Sequence, residues 1–417
     1  MGLPQSYQDG REQPTLQPHE SSRYTQTRFM DIAKIQDELR AQKLDGWLFF
    51  DHHQRDPLAY RVLGLPARMA TRRWYYFIPA KGEPAGLEHR VEPGMLASLP
   101  GEKIPYSSWT EQGDGLRKLL RGARRIAMQY SPLCAIPYVA MVDAGTIELV
   151  RGTGVEVVSS AELIQAFEAR WSAEALESHM EAGRRVDGVR AAAFEFIRER
   201  TRNHAPLQEL DVKRFVLDGF AKGGMITDHG PIVGVNGNAS NPHYEPDEQV
   251  TSPIRRGDFV LLDMWAKLDR PGAVYYDITW TGFCGDQPSD SMRNVFSVVT
   301  GARDAAIQRV TEAVSGGRAL CGYEVDDAAR QFINSRGFGT YFTHRTGHSI
   351  GQEVHGNGAN MDNLETHDDR RVSPWTCFSI EPGVYLPEFG VRSEVNMFVG
   401  DREARVTGEI QRELVLL

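Results

Sequence analysis

The sequence predicts an α/β domain in the first 170 residues and an α+β domain in the rest of the chain. Between residues 28 and 165, short apolar runs alternate with segments of helical periodicity, which is typical of α/β domains. A long amphipathic helix is predicted to begin near Ser172. The last third contains strand-like segments that occur as hairpin pairs and carry acidic residues. A chain of 417 residues is long enough for two or three domains.

Changes in composition set the expected boundaries. Residues 1–26 are polar and rich in Gln, Pro and Ser, so we expect an extended lead-in. Residues 27–168 form the predicted N-terminal α/β domain, and residues 170–417 form the second domain. The boundary is placed at Arg170, just before the long helix.

The N-terminal domain has one clear helical pattern, in which Ile32, Ile35 and Leu39 recur at helical spacing. Ser159 and Glu162 predict a capping box for a helix near the end of the domain. The predicted strands cover residues 47–50, 73–79, 125–128 and 155–158. Because no glycine-rich phosphate loop occurs here, we favour a supporting or partner-contacting role over nucleotide binding.

The second domain is predicted to contain helices and two acidic hairpins. A strand followed by a Gly- and Asn-rich loop is expected at 230–244. The helical patterns lie at about 172–200, 208–222, 289–316 and 325–336.

Composition excludes several classes of function. The net charge of -9 argues against broad binding to nucleic acid or to an anionic membrane, although it leaves room for a local basic pocket. No apolar run approaches the ~18–20 residues needed to span a bilayer, and the start of the chain lacks a signal-peptide core. Buried free thiols in a reducing cytoplasm are expected for the widely spaced Cys134, Cys284, Cys321 and Cys377.

The first acidic hairpin extends from Val260 to Trp280. Its turn is predicted at residues 269–272, because Pro271 and Gly272 stand where turns favour them. Folding the strands about this turn sets Asp263 opposite Asp277. Directly opposed like charges destabilise a β pair, so a bound cation is expected to compensate them.

The second acidic hairpin, residues 379–395, repeats this pattern. Folding about residues 387–390 brings Glu381 and Glu394 opposite one another, within a residue of register. Both flanking sequences are apolar, so the carboxylates are predicted to leave water. Without compensation each would cost several kcal/mol or become protonated.

A histidine run separates the two hairpins, and in it His348 is bracketed by Gly347 and Gly351. Four carboxylates and one imidazole, without thiolate, suit Mn²⁺, Co²⁺, Fe²⁺ or Zn²⁺. Four acids exceed the needs of one ion, so we expect two divalent ions about 3.5–4 Å apart, with Mn²⁺ as the first expectation. Such a pair activates a bridging water and polarises a carbonyl, which is the chemistry of amide hydrolysis.

Three more histidines are candidates for catalysis: His243, His344 and His355. They could orient a substrate carbonyl, stabilise a tetrahedral intermediate or move a proton to the leaving amine.

These motifs resemble those of the M24 metallopeptidases, the "pita-bread" group that includes Xaa-Pro aminopeptidases, prolidases and methionine aminopeptidases. The resemblance spans about residues 225–400, and residues 28–165 more loosely resemble the N-terminal domain of creatinase and prolidase. It implies an α/β N-terminal domain plus an α+β pita-bread catalytic domain. The motifs that carry it are Asp263…Asp277-Ile-Thr, His344-x-x-Gly-His348-x-Ile-Gly…His355, Glu381-Pro-Gly-Val-Tyr and Gly-Val-Arg392-x-Glu394.

The resemblance also implies roles for individual residues. Asp263 would bind one ion, His348 and Glu381 the other, and Asp277 and Glu394 would bridge both. The catalytic set would be His243, His344, His355 and Arg392, with Arg392 orienting its neighbours and balancing charge. The substrate-binding set would be His243 and His355, with Arg370 or Arg371 for a proline carboxylate.

The implied function is hydrolysis of the peptide bond before proline by a metal-bridging water or hydroxide. The substrate would be a small peptide with proline at its second position, and the chain would form a homodimer in the cytoplasm. Whether it is a dipeptidase or an aminopeptidase stays open. One alternative is an M24-type hydrolase or lyase acting on a non-peptide small molecule, as creatinase, ectoine hydrolase or a sulfonium lyase does. The other is a non-catalytic binding protein on the same scaffold, which would be expected to have lost metal ligands.

Overall fold

The computed structural model describes residues 30–66 and 68–417. The predicted lead-in over residues 1–26 lies outside the described residues. The described chain contains one N-terminal sheet with its helices, followed by a larger C-terminal part built on two main sheets. No helix in these described ranges is long and apolar enough to cross a membrane.

The N-terminal part is a mixed sheet with helices packed against it. Its described strands follow the order β4-β3-β2-β1-β5-β6, and β2 runs antiparallel to both of its neighbours. The strands are β1 (Gly46–Asp51), β2 (Trp74–Pro79), β3 (Ala85–His89), β4 (Glu102–Tyr106), β5 (Arg125–Met128) and β6 (Glu156–Ser159). The helices are α1 (Ile32–Ala41), α2 (Pro57–Leu63), α3 (Trp109–Leu119), α4 (Ala144–Arg151) and α5 (Ala161–Ile164).

Burial explains which of these strands the sequence revealed. Strand β1 is buried along its whole length, so it reads as a continuous apolar run. Strand β4 lies at the sheet edge and is largely exposed, and its apolar signal is correspondingly weak. The predicted capping box is wrong: Ser159 Oγ accepts from the Ala161 N–H, and the Glu162 carboxylate accepts from the Arg371 N–H.

The C-terminal part alternates helices with paired strands. Its helices are α6 (Ala173–Arg202), α7 (Glu209–Lys222), α8 (Asp290–Ser315) and α9 (Gly322–Ser335). Its strands are β7 (Met225–Ile226), β8 (Ile232–Val235), β9 (Phe259–Leu268), β10 (Tyr276–Phe283), β11 (Ser349–Ile350), β12 (Thr376–Ile380), β13 (Gly383–Tyr385), β14 (Gly390–Arg392), β15 (Val395–Val399), β16 (Ala404–Val406) and β17 (Val415–Leu416).

Two large hydrophobic cores, with a smaller one around Trp171, lie in the described C-terminal part. Helices α6 and α7 pack on the sheet of β8, β9 and β10, and helices α8 and α9 pack on the sheet of β12 and β15. Val186 and Ile197 of α6 are fully buried in the first core, and Val299 and Val310 of α8 are fully buried in the second. Each such side chain contributes roughly 1.5–3 kcal/mol, so the two helix-covered sheets form a rigid support for the residues between them.

The register of the β9–β10 hairpin corrects the sequence prediction. Asp263 pairs with Thr279, and Asp277 pairs with Trp265. The two aspartates are therefore diagonal neighbours on one face rather than directly opposed. The connection covers residues 269–275, because the backbone of its last residues bonds elsewhere: the Val274 N–H donates to Ser178 Oγ, and the Tyr275 N–H donates to the Gly351 carbonyl.

The second hairpin has the expected pairing. Ile380 pairs with Val395 on one side of the acids, and Gly383 pairs with Arg392 on the other. The two ladders share one register, so Glu381 lies opposite Glu394.

All four cysteines are free thiols. Cys284 and Cys377 are buried, whereas Cys134 is exposed and Cys321 is half-buried. The prediction of burial is therefore wrong for the last two.

Candidate metal centre

The carboxylates of both hairpins converge between the two sheets. Ligand atoms of Asp277, His348 and Glu394 lie within 4.8 Å of one another. His348 Nε2 is 3.5 Å from an oxygen of Asp277 and 3.4 Å from an oxygen of Glu381. Backbone contacts join the sheets at this point, because the Glu394 N–H donates to the Thr279 carbonyl, and the Asn396 side chain bonds both backbone groups of Asp277.

Burial makes this cluster of acids energetically demanding. Four carboxylates face one guanidinium, that of Arg392, so full ionisation of the acids would leave three negative charges without a counter-charge. Burial, followed by repulsion from neighbouring acids, raises the pKa of Asp277 and of Glu394 well above the ordinary range. Burial also raises the pKa of Asp263 to about 7, although Arg392 acts in the opposite direction.

Two oxygens of the cluster point at no donor within the described chain. Asp277 Oδ1 and Glu394 Oε1 are fully buried and have no hydrogen-bond partner. Buried polar atoms in native proteins are normally paired, so each of these oxygens is expected to bind a ligand. A divalent cation satisfies both and removes the repulsion between the acids. The residues present therefore fit a metal ion.

His348 is prepared as a neutral nitrogen ligand. Its Nδ1 lies 3.1 Å from the Ser349 carbonyl, which can only accept, so the proton is on Nδ1 and the Nε2 lone pair faces the acids. Burial lowers the pKa of His348, which keeps the ring neutral. Gly347 is required here, because a Cβ at that position would lie 1.9 Å from the Ser379 carbonyl oxygen.

Arg392 organises the acids on the side of Asp263. Its guanidinium forms an ion pair with Asp263 through Nη2 and donates from Nε to Thr279 Oγ1 at 3.0 Å. Thr279 in turn donates to Glu394 Oε2 at 2.8 Å. Arg392 thus fixes one carboxylate directly and a second one through Thr279.

His344 is tied into the same network. Its Nδ1 lies 2.6 Å from the Arg345 carbonyl, so Nδ1 carries the proton and Nε2 accepts from the Tyr385 hydroxyl at 2.7 Å. Tyr385 accepts from Arg392 Nη1 at 3.3 Å, and burial raises the pKa of its phenol to about 12. Both ring nitrogens of His344 are therefore engaged within the protein.

His355 has a different setting. Its ring packs edge-on against that of His348, with the centroids 4.4 Å apart. Within the described residues, neither of its ring nitrogens has a hydrogen-bond partner. The neighbouring His348 and then burial lower the pKa of His355 to about 3. His355 is thus the histidine of the run that presents a neutral, unengaged ring.

A cavity of about 420 Å³ opens beside His355, between the two halves of the chain. Pro57, Leu58 and Tyr138 of the N-terminal part form one wall beside Arg61, and Arg345 and Glu353 stand on the other. The Arg61 guanidinium is paired with Glu168 and Glu353. Arg345 lies over the Tyr138 ring, 5.6 Å from its centroid, and donates to its hydroxyl. The cavity therefore combines a cation with an apolar wall.

Three predicted residues are not part of this cluster. Arg370 is buried and forms an ion pair with Asp368, with Nη2 2.5 Å from Oδ2, so its guanidinium is already occupied. Arg371 is exposed, and its backbone contacts Glu162 and Gln165. His243 is also exposed, on a loop fixed to the second hairpin by a bond from Ser240 Oγ to the Leu386 carbonyl.

Three residues of the site escaped prediction: Thr279, Arg345 and Tyr385. Thr279 and Tyr385 lie within the quoted motifs, two residues after Asp277 and four after Glu381. Their polar groups inside apolar strands were a usable signal. Arg345 directly follows His344, but only its contact with Tyr138, 207 positions away, assigns it to the cavity.

Comparisons with known proteins give a consistent result. The sequence model described as "Metallopeptidase family M24" matches residues 177–401, which is more than half of the chain. The chain is 32% identical over 214 residues to an Xaa-Pro dipeptidase from Lactobacillus delbrueckii subsp. lactis. That match covers 51% of this chain and 52% of the relative, so the chain spans about half the length of this curated protein.

Two solved structures share the fold over nearly the whole chain. The dipeptidase PepE from Mycobacterium ulcerans is 23% identical, with a TM-score of 0.67 and coverage of 92% of this chain and 96% of that one. The prolidase from Thermococcus sibiricus is 22% identical, with a TM-score of 0.61 and coverage of 93% and 98%. The likeness establishes the overall architecture, a pita-bread domain preceded by an N-terminal domain.

Proposed function

The chain belongs to metallopeptidase family M24, and we propose that it hydrolyses the peptide bond before proline in small peptides. The observation that carries this proposal is the buried acid cluster, with Asp277 Oδ1 and Glu394 Oε1 lacking any partner in the described chain. All five residues proposed as metal ligands are present, which argues against a non-catalytic binding protein that has lost its metal ligands.

We assign two divalent ions to the cluster, Mn²⁺ in the first place. Asp277, His348 and Glu394 are already close enough to share one ion. Glu381 lies beside His348 and would bind that same ion, while Asp263 would bind a second ion together with Asp277 and Glu394. When bound, such a pair polarises a peptide carbonyl and activates water.

We propose that the remaining side chains position the acids and orient the substrate. Arg392 holds Asp263 and Thr279, while Tyr385 links Arg392 to His344. We propose that His344 acts by fixing this network and that His355 meets the substrate. A neutral His355 offers one N–H to the substrate carbonyl oxygen and one lone pair that accepts a proton.

The cavity beside His355 supports a small substrate. Its apolar wall suits a proline ring, and the Arg345 guanidinium suits a carboxylate at the end of a short peptide. We therefore propose a preference for dipeptides over longer peptides and assign the carboxylate to Arg345 instead of Arg370 or Arg371.

A substrate panel tests the proposal. Metal-stripped protein is supplied with Mn²⁺ and assayed on Ala-Pro, Gly-Pro and Ala-Pro-Ala, with Ala-Ala and Ala-Ala-Ala as matched peptides that lack proline. We expect cleavage of Ala-Pro and Gly-Pro, slower cleavage of Ala-Pro-Ala, and little cleavage of the matched peptides. Chelation should remove the activity, and Mn²⁺ or Co²⁺ should restore it.

Two outcomes would overturn the proposal. Failure to cleave any of these peptides would favour a non-peptide small molecule as the substrate. Full activity after exhaustive chelation would exclude the metal-dependent mechanism.

A further inference from the structure

A second cavity, of about 460 Å³, lies in the N-terminal part, outside the metal centre. It opens at the edge of the sheet where β1, β3 and β4 end and β2 begins. Open α/β sheets bind ligands in such crevices, outside the carboxyl ends of their strands. Its lining residues include Arg55, Arg72, Arg73, His89 and Trp109.

The charge of this basic cavity is opposite to that of the whole chain. Three arginines and one acid, Asp143, line it, which leaves two positive charges in a chain of net charge -9. Within the described residues, the guanidinium groups of Arg55 and Arg73 form no hydrogen bond and no salt bridge. Two arginines directed at one crevice without partners are available to an anion.

The nearby acids are already engaged. Asp143 caps α4, accepting from the Thr146 N–H at 2.9 Å and from its hydroxyl at 2.8 Å. Glu92 accepts from the backbone N–H groups of Thr71 and Arg72. These acids hold the walls of the cavity, and although Asp143 is near enough to interact electrostatically with Arg55, no acid of the described residues forms an ion pair with Arg55 or Arg73.

Aromatic rings complete the lining. Tyr106 and His89 meet edge to face with their centroids 4.9 Å apart, and Trp109 at the rim is 81% exposed. An exposed tryptophan beside unpaired arginines suits a ligand that has both a planar ring and a charged group.

We propose that this basic cavity binds a small organic phosphate that carries a planar ring. Guanidinium groups recognise phosphate oxygens through paired, charge-assisted hydrogen bonds. The ring stacks on Trp109. The basic cavity and the cavity beside His355 share no lining residue, so its occupancy is separate from the peptidase chemistry proposed above.

Calorimetric titration of the full chain with AMP tests this proposal, with adenosine and inorganic phosphate as comparison ligands. We expect saturable binding of AMP with a Kd below about 1 mM, weaker binding of inorganic phosphate, and no binding of adenosine. The double variant Arg55→Gln/Arg73→Gln should weaken AMP binding by at least roughly tenfold.

The control variant is Arg121→Gln, which removes the same kind of charge from an exposed position of the same domain, away from the cavity. It should bind AMP like the original chain. Circular dichroism and the unaltered cleavage of Ala-Pro by the double variant confirm that it folds.

Three results would overturn the proposal. One is the absence of saturable binding up to about 5 mM AMP. Another is equal weakening in the double variant and in Arg121→Gln, which would indicate nonspecific attraction. The third is a double variant that changes the sedimentation coefficient while the original chain binds no AMP, because the cavity would then be a contact between copies of the chain.

Discussion

The acid cluster of the C-terminal part lies in the protein interior, whereas the arginines of the basic cavity stay in contact with water. Asp277 and Glu394 are 4% and 2% exposed, and each has an oxygen without a partner. Arg55 and Arg73 are exposed at the mouth of an open crevice. Water stabilises the arginines in the absence of a ligand, whereas Asp277 Oδ1 and Glu394 Oε1 are buried and have no donor among the described residues.

The difference teaches which of the two sites is coupled to folding. Ligand binding at the acid cluster should change both the activity and the stability of the chain, because it compensates buried charge. The empty basic cavity should cost the fold little, because its charges are already solvated, although a ligand bound there adds stability according to its concentration relative to Kd. The following changes test this contrast, beginning with the largest expected effect.

Asp277→Asn removes a central carboxylate from the acid cluster and keeps the shape of the side chain. We expect kcat/KM for Ala-Pro with Mn²⁺ to fall by roughly 10³-fold or more, on the order of the loss of a principal electrostatic group of an active site. The fold should be retained, because the substitution also removes a buried charge. The matched control Asp269→Asn, in the exposed loop of the same hairpin, should leave kcat/KM unchanged, and near-normal activity in Asp277→Asn would exclude it as a metal ligand.

Metal removal tests the same cluster by its effect on the free energy of unfolding. Free Mn²⁺ at roughly 100 times its Kd should raise the free energy of unfolding by about 2.7 kcal/mol. Differential scanning calorimetry of metal-stripped and reloaded protein measures this as a higher Tm. The shift should largely disappear in Asp277→Asn. An identical Tm with and without metal would contradict the coupling of this site to folding.

Asp56 shows what a buried carboxyl does where no such cluster surrounds it. It caps α2 through Oδ1, while its buried Oδ2 has no partner, and burial raises its pKa to about 7. Because this pKa exceeds the unfolded value of about 3.9, the folded state binds the extra proton, and stability is lost as the pH rises from about 4 to about 7. Asp56→Asn should therefore be more stable than the original chain by on the order of 2 kcal/mol at pH 8, with little difference at pH 4.

Urea unfolding at both pH values measures this effect, and Asp56→Ser offers a second capping residue without charge. Equal stabilisation by Asp56→Asn at both pH values would show that titration of Asp56 is not the cause.

Arg345→Gln tests whether Arg345 binds the substrate carboxylate beside the acid cluster. Losing a charge-assisted contact with the substrate carboxylate should raise KM for Ala-Pro about tenfold, with a smaller change in kcat. Arg371→Gln, at an exposed position that the sequence also suggested, should leave KM unchanged. A larger increase of KM in Arg371→Gln than in Arg345→Gln would reverse the assignment.

The acid cluster could be predicted because an error of two residues in strand register leaves each side chain on the same face of the sheet. The expected pairing of Asp263 with Asp277 differs from the observed register by two residues, and side chains two positions apart share a face. The apolar residues Val274 and Tyr275 resembled strand, but their backbone N–H groups bond α6 and the loop after β11 instead of β9. Such distant partners leave no trace in the local sequence.

The N-terminal part was less predictable. Edge strand β4 is largely exposed and α2 is short, so neither gives a strong periodic signal. The cavities were also hidden, because each joins distant segments: Arg345 meets Tyr138 across 207 positions, and the basic cavity unites four strand ends. Long-range packing decides such sites, whereas local patterns decide ligands within a hairpin.

The shared register of the second hairpin has a consequence for how the chain can change in length. Glu381 and Glu394 stay opposed only if the strand pairs on both sides of them keep the same register. Inserting a single residue into β12 or β15 would therefore turn a carboxylate to the other face. Residues 269–271 are exposed and lie in the connection between β9 and β10, outside the strand pairing, so extra residues there leave both aspartates in place. Insertions are therefore expected to be tolerated in the connection between β9 and β10 but not within β12 or β15.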